Sequence, residues 1–222
     1  NIKSPEDQYR IKIGLLVGST ASDDLHNLAK HYKLDEKRLQ VVNLTPHEQL
    51  AALRTGEIEA FLAWEPWPYK ALQEGIASVI STGGVSHFAQ SDGAQVKISD
   101  NRSVWVASQD FVRKNPNATN AIVSVLLRAQ RYVADPTNRQ EVINSFSTFQ
   151  KEDPATNFAI WNDFVFNGTI DKDYVEDMEN TASYLASTGR IKKRINILEY
   201  TYTAPIEKFD ASLVKVKGLW KP

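Results

Sequence analysis

The stretch Gly56-Glu57-Ile58-Glu59-Ala60-Phe61-Leu62-Ala63-Trp64-Glu65-Pro66-Trp67 decides how the chain is read. Ile58 to Ala63 is a short apolar run, punctuated by Gly56 and too short for a helix that would end at a proline. It predicts a buried strand. The residues after it are not ordinary loop composition: two tryptophans, one carboxylate and two prolines (Pro66, Pro68) stand where a helix begins. Ligands of open parallel sheets bind beyond the carboxyl ends of the strands. An aromatic wall with one charge at that point is what a small-molecule pocket needs. The same tryptophans equally suit a strand end that caps the core.

Two strands precede this stretch. Ile11 to Val17 alternates weakly, is mostly apolar, and leads into Gly18-Ser19-Thr20-Ala21-Ser22. Asp23 and Asp24, followed by Leu25, Leu28, Ala29 and Tyr32 at helical spacing, mark a helix. The small hydroxyl residues have two readings. Thr20 or Ser22 caps the first turn, or the turn leaves its N–H groups and the helix dipole open to an anion. Asp23 and Asp24 suit the dipole but repel a strongly charged ligand. Leu39 to Leu44 is the next strand, and Thr45-Pro46 with Glu48 forms a capping box for a short helix reaching Leu53 and ending at Gly56. Strand, helix, strand, helix, strand is a βαβαβ unit, which requires parallel strands and right-handed crossovers.

Trp67 to Glu74 predicts a helix and Ala77 to Ile80 a further strand, followed by a polar surface connection from Gly83 to Asp100. Val104 to Ala107 predicts a strand, with Asp110 as the cap of a helical segment after it. The rest is helical: Asn117 to Ala134, with Ala121, Ile122, Val125, Leu126, Ala129 and Val133 on one face, then Arg139 to Phe149, Ala155 to Phe164 and Asp173 to Thr188. Asp135-Pro136, Asp153-Pro154 and Gly189 separate or end these segments. Asp210 to Val216 predicts a last short helix, and Gly218 to Pro222 a tail.

Composition narrows the function classes. With 222 residues the chain makes one large domain or two small lobes, and 42% apolar with 24% charged residues is globular composition. A net charge of −1 supplies no field for nucleic acid or an acidic membrane. The absence of cysteine removes thiol nucleophiles, disulfides and thiolate metal sites, and fits an exported bacterial protein. No apolar run approaches the roughly 20 residues of a membrane span. The chain opens on polar Asn1 to Tyr9 without a signal peptide, so it is expected to be mature, trimmed or internal. The histidines (His26, His31, His47, His87) are scattered; His26 and His31 are five apart, which is not a ligand spacing, and no metal is expected. No Ser-His-Asp or paired-carboxylate constellation assembles, since Glu59 lies inside a strand and Glu65 beyond it, and no cofactor is implied.

Several segments in one order resemble the solute-binding proteins of ABC importers for nitrate, sulfonates, taurine and thiamine precursors. Ser4-Pro5-Glu6-Asp7 with Ile11-Lys12-Ile13-Gly14 looks like the crossing into the second lobe of such proteins, and Val17-Gly18-Ser19-Thr20-Ala21 like the helix start lining their cleft. Val42-Asn43-Leu44-Thr45-Pro46, the run Ala52 to Ala60 and Trp64-Glu65-Pro66 continue the match. Val106-Ala107-Ser108 with Phe111 and Asn115-Pro116, then Gly189-Arg190-Ile191, are similar to later segments. No single piece is specific; the ordered set is, and it favours the pocket reading of Trp64 and Glu65.

The resemblance implies an α/β fold: a periplasmic-binding-protein-like (type II) lobe with a βαβαβ core over residues 1–108, complete from about Arg10 to Ser108. Residues 109–222 form a mainly helical portion belonging to the second lobe and hinge region. Such proteins carry a further lobe-sized stretch ahead of the point where this chain begins, so a fragment is expected, with apolar surface uncovered on the helical portion and a dimer as one way to hide it. The implied function is capture of a small anionic or zwitterionic solute in an interlobe cleft, which closes around the solute and is recognised by an ABC transporter permease. Gly18, Ser19, Thr20 and Ala21 would face the oxyanion end, and Trp64, Glu65 and Trp67 the opposite rim. Glu65 would pair with a ligand amino group, which favours an aminosulfonate-like zwitterion over nitrate, or with a lysine or arginine of either lobe. The implied location is periplasmic or extracytoplasmic, as a cell-surface lipoprotein in a Gram-positive host. An extracytoplasmic sensing domain of a receptor on the same fold is the alternative. An enzyme is not expected, because the thiamine-pyrimidine synthase branch resembles a cysteine-rich motif that this chain lacks.

Overall fold

The computed structural model describes residues 2–98 and 101–222. Asn1, at the start of the polar opening, and Ser99 and Asp100, at the end of the expected Gly83–Asp100 connection, lie outside the described residues. The chain divides into two compact units, Asn1–Asn101 and Arg102–Pro222.

The first unit runs β1 (Lys12–Leu15), α1 (Thr20–His31), β2 (Gln40–Asn43), α2 (Pro46–Thr55), β3 (Ala60–Phe61) and α3 (Trp67–Gln73). Its three strands stand in the order β2-β1-β3 and all run parallel, with Ile13 opposite both Val41 and Ala60. The βαβαβ reading therefore describes this sheet. The third strand is shorter than the expected Ile58–Ala63. At its start the Glu57 and Ile58 N–H groups still bond to the Ala52 carbonyl of the helix before, and only from Glu59 does the chain bond to Lys12.

Alternation along β1 sets the two layers. Ile13 and Leu15 point to one face, where they pack with Ala21, Leu25 and Ala29 of α1 and with Leu39. Gly14 points to the other, where a Cβ would lie 2.7 Å from Ile58 Cδ1 and 3.3 Å from Gln49 Cγ of α2. The two crossover helices thus cover opposite faces, as right-handed connections on either side of a central strand require. The α2 capping box forms as the sequence indicates: the Thr45 N–H and hydroxyl both donate to Glu48 Oε2, each at 2.7 Å, and Gly56 closes the helix at φ 73°. Those two bonds, with a smaller contribution from the neighbouring His47, hold the Glu48 carboxyl below its ordinary range. At the far end of α2 the Arg54 guanidinium grips Glu74, just past α3, through Nε at 2.7 Å and Nη2 at 2.5 Å. At the near end the His47 ring meets that of Trp67. Contacts at both ends in the same sense mean that α2 and α3 run side by side in one direction.

Beyond α3 the structure departs from expectation. Ala77–Ile80 is not a strand; the chain instead bridges to itself at Ser81–Ser86 and Val85–Gln95. The segment expected to be a polar surface connection buries Ser86 and Phe88 completely, the latter edge-to-face on Tyr32 with ring centroids 5.1 Å apart.

The second unit holds α4 (Gln109–Lys114), α5 (Pro116–Ala134), α6 (Arg139–Gln150), α7 (Pro154–Ile160), α8 (Lys172–Ser187) and α9 (Ala204–Phe209). The expected strand Val104–Ala107 has no regular secondary structure and no sheet partner among the described residues, and Trp105 and Val106 are 82% and 88% exposed. A β-branched run becomes a strand only where a neighbour takes up its N–H and C=O groups. Ser108, not Asp110, caps α4, its hydroxyl accepting from the Phe111 N–H at 3.2 Å. On α5 the buried residues are Thr119 and Leu127, whereas Ile122 and Val125 of the expected inner face are about half exposed. The helix begun at Pro154 gives way to a 3-10 turn at Trp161–Asp163 instead of reaching Phe164. The expected last helix, Asp210–Val216, is only a 3-10 turn at Ala211–Leu213, after which Val214 forms a parallel bridge with Ile170; the last α-helix, α9, ends before it at Phe209. A partly buried ion pair, Arg102 to Asp177 at 2.8 Å, ties the start of this unit to α8.

Gly14→Ala is expected to lower stability by about 1–3 kcal/mol through overpacking against Ile58 and Gln49, read from urea unfolding. The Glu74 carboxyl is held below the usual range, first by its hydrogen bond to Arg54 and then by that residue's charge. A depressed carboxylate contributes stability that is present above its unfolded pKa and lost as pH falls through its folded one. The stability gap between wild type and Arg54→Met should therefore be full at neutral pH and close below about pH 4.

Candidate functional site

Because β1 pairs in parallel with both neighbours, all three connections leave the sheet at its carboxyl edge. The turn after β1 holds Gly18, Ser19, Thr20 and Ala21; the turn after β3 holds Trp64, Glu65 and the start of α3 at Trp67. These two sets, separated by more than forty positions in sequence, thus come off strands that are direct neighbours. The point is also one where adjacent strands send their chains to helices on opposite faces, which is where open parallel sheets bind ligands.

The turn after β1 is tied down by side chains. Gly18 sits at φ 95°, a left-handed conformation that favours glycine. Its N–H donates to Ser22 Oγ at 2.9 Å, and the Val17 N–H donates to Asn43 Oδ1 at 2.9 Å. Ser19 is the N-cap of α1, which begins three residues earlier than Asp23: its hydroxyl accepts from the Ala21 N–H at 3.2 Å and donates to the Leu16 carbonyl at 2.7 Å. The Ser19 N–H also bonds to Leu16. Of the sequence-derived donors, Gly18, Ser19 and Ala21 therefore have their N–H groups committed within the turn. Thr20 is exposed, and among the described residues neither its N–H nor its hydroxyl makes a hydrogen bond. Thr20 thus stands exposed at the positive end of a helix of 12 residues.

The other corner presents aromatic surface. Trp64 is 42% exposed, and the Glu65–Pro66 peptide is cis. Glu65 Oε2 accepts from the Tyr69 N–H at 3.1 Å, which caps the first turn of α3. The Trp67 indole has two neighbours: the His47 ring at 5.9 Å and 88°, and Lys70 Nζ at 5.2 Å from its centroid. Sequence reasoning missed Asn43 and His47, and it read Thr20 or Ser22 as the cap of α1, where Ser19 holds that place and Ser22 accepts from the Gly18 N–H. Asn43 ends the second strand and Ser22 stands one helical turn after Gly18, positions from which a side chain reaches back to the β1 turn. His47 lies at the second position of α2, on the same edge.

The sequence pattern of the NMT1-like family matches residues 8–147. The taurine-binding periplasmic protein of Escherichia coli (strain K12) is 26% identical over 136 residues, which is 61% of this chain and 39% of that protein. The bicarbonate transport ATP-binding protein CmpC of Synechocystis sp. (strain ATCC 27184 / PCC 6803 / Kazusa) is 26% identical over 142 residues, 60% of this chain and 20% of that protein. The solved periplasmic sulfonate-binding protein SsuA of Methylobacillus flagellatus KT superimposes with a TM-score of 0.75 at 22% identity, covering 99% of this chain and 65% of that one. The fold is that of the periplasmic binding proteins. The chain spans about two fifths of the taurine-binding relative and under two thirds of the solved sulfonate-binding chain.

Ser19→Ala is expected to destabilise the protein by about 1 kcal/mol by removing the cap of α1, while Ser19→Asn retains most of that stability; chemical unfolding of the pair distinguishes a cap from an unconnected hydroxyl.

Proposed function

Because the chain belongs to the NMT1-like family, we propose that it is the solute-binding component, or a part of it, of an ABC importer, taking up a small anionic or zwitterionic solute of sulfonate, taurine or nitrate type. The observation that supports this most is the arrival of the α1 start and the Trp64–Trp67 corner at one edge of the sheet from neighbouring strands. The taurine-binding and sulfonate-binding names of its relatives point to the same solute class.

In this reading residues 1–108 form the ligand-binding lobe and residues 109–222 belong to the second lobe and hinge. Thr20 meets the oxyanion, with the backbone of Gly18, Ser19 and Ala21 shaping the turn around it. Trp64 offers an open aromatic face to the rest of the solute, and Trp67 forms part of the wall. Glu65 faces an amino group of the solute, and one of its oxygens also accepts from the Tyr69 N–H at the start of α3. The solute leaves unchanged, so no catalytic residue is assigned. The partners are a permease and an ATP-binding subunit, and the protein works outside the cytoplasmic membrane. Among the described residues no helix is long and apolar enough to cross a membrane.

Titration calorimetry with taurine, ethanesulfonate and nitrate tests the proposal. At least one should bind, and Trp64→Ala should weaken that solute about twofold to thirtyfold, the equivalent of roughly 0.5–2 kcal/mol. Glu65→Gln, which keeps an acceptor for the Tyr69 N–H, should weaken taurine but leave ethanesulfonate unchanged. Absence of heat with all three solutes overturns the proposal.

A further inference from the structure

Independently of the solute-binding reading, we propose that Asn167–Gly168 is a self-modifying site, at which the folded chain converts Asn167 to aspartate and isoaspartate through attack by its own backbone. Asn167–Gly168 is the single Asn-Gly pair of the sequence, and it lies in the irregular segment between the Trp161–Asp163 turn and α8. Both flanks are anchored. The Phe166 ring meets that of Trp161 with centroids 5.0 Å apart, and Ile170 bridges to Val214. Packing on α5 imposes glycine at position 168, since a Cβ there would stand 2.6 Å from Gln130 Oε1 and 2.9 Å from Leu127 Cδ2. The residue that shields a preceding asparagine least is therefore the one this fold requires.

The reacting groups are held close and left free. Asn167 is exposed, and its Oδ1 accepts from the Thr169 N–H at 2.9 Å. A side chain bonded to the N–H two residues on arches over the peptide between them, which brings Asn167 Cγ toward the Gly168 nitrogen. Among the described residues neither the Gly168 N–H nor Asn167 Nδ2 makes a hydrogen bond. In the reaction the Gly168 nitrogen bonds to Cγ and gives up its proton to water, the Cγ–Nδ2 bond breaks, and ammonia leaves a cyclic imide behind. Negative charge builds on Oδ1 during the attack, where the Thr169 N–H already donates. Water then opens the imide at either carbonyl. One opening gives aspartate; the other gives isoaspartate, whose main chain is one atom longer. Both products add a negative charge. The longer one also displaces the chain just ahead of Ile170, whose N–H bonds to Leu213 at 2.7 Å and whose carbonyl accepts from Lys215 at 2.9 Å.

Peptide mapping by mass spectrometry of the full chain, aged in mildly alkaline buffer, tests this. Asn167 should convert at least about tenfold faster than Asn144, an exposed asparagine before serine in α6, where the helical backbone keeps nitrogen and Cγ out of line. Aspartate and isoaspartate should both appear at position 167, and Asn167→Gln should stay intact over the same period. The aged forms, separated by ion exchange, should then unfold in urea in a fixed order. The isoaspartate form should fall below Asn167→Asp, which carries the same charge on a chain of ordinary length. Conversion of Asn167 only in the urea-unfolded chain, or a rate in the folded chain no greater than that of Asn144, overturns the proposal. An isoaspartate form as stable as Asn167→Asp overturns its effect on the Ile170 bridge.

Discussion

The first unit depends on one constraint: the central strand must be approached closely from both faces. Ile13 and Leu15 fill one side with methyl groups against α1. On the other side the helix crossover can close only because Gly14 has no side chain, leaving that space to Ile58 and Gln49. The position of α2 depends on that vacancy, and through α2 so does the position of the Trp67 wall, which touches His47 at one end and is steadied through Arg54 and Glu74 at the other. A residue in the middle of the core thereby fixes the spacing of groups at the rim.

Capping and ligand binding compete for the same atoms at a helix start, and the turn after β1 shows how the competition is resolved. Ser19 and Ser22 take the N–H groups that would otherwise be orphaned, and Asn43 reaches over from the next strand to take a third. What is left is narrow: one residue, Thr20, on the exposed side of the first turn. The acidic residues after it are engaged elsewhere, Asp23 with Asn27 and Asp24 with Asn101.

The parallel βαβαβ core was legible because its signals are local and redundant. Thr45, Pro46, Glu48 and Gly56 announce both ends of one helix, and short apolar runs sit between such punctuation marks. That the two turns leave the sheet at one edge was legible too, since strand ends are where strands meet turns. Less legible was anything set by a distant neighbour. Val104–Ala107 has strand composition but no partner to pair with among the described residues, and Phe88 reads as one aromatic in a polar loop yet is wholly buried against Tyr32. Helical period predicted a single inner face for α5, but which stripe is buried is decided by what lies opposite, and it is the side of Thr119 and Leu127. Hydroxyl runs are ambiguous for a similar reason: Ser19, Thr20 and Ser22 share a composition, and only geometry tells which one caps.

The interlocked turn after β1 also bears on speed. Because Asn43, Ser22 and Ser19 already hold its backbone, a small anion reaching Thr20 in the proposed function would meet a surface in its final form and need not wait for a loop to order. Little conformational entropy is then surrendered on contact, so capture at this corner would be governed by the rate of encounter, and release by how firmly the remaining contacts hold.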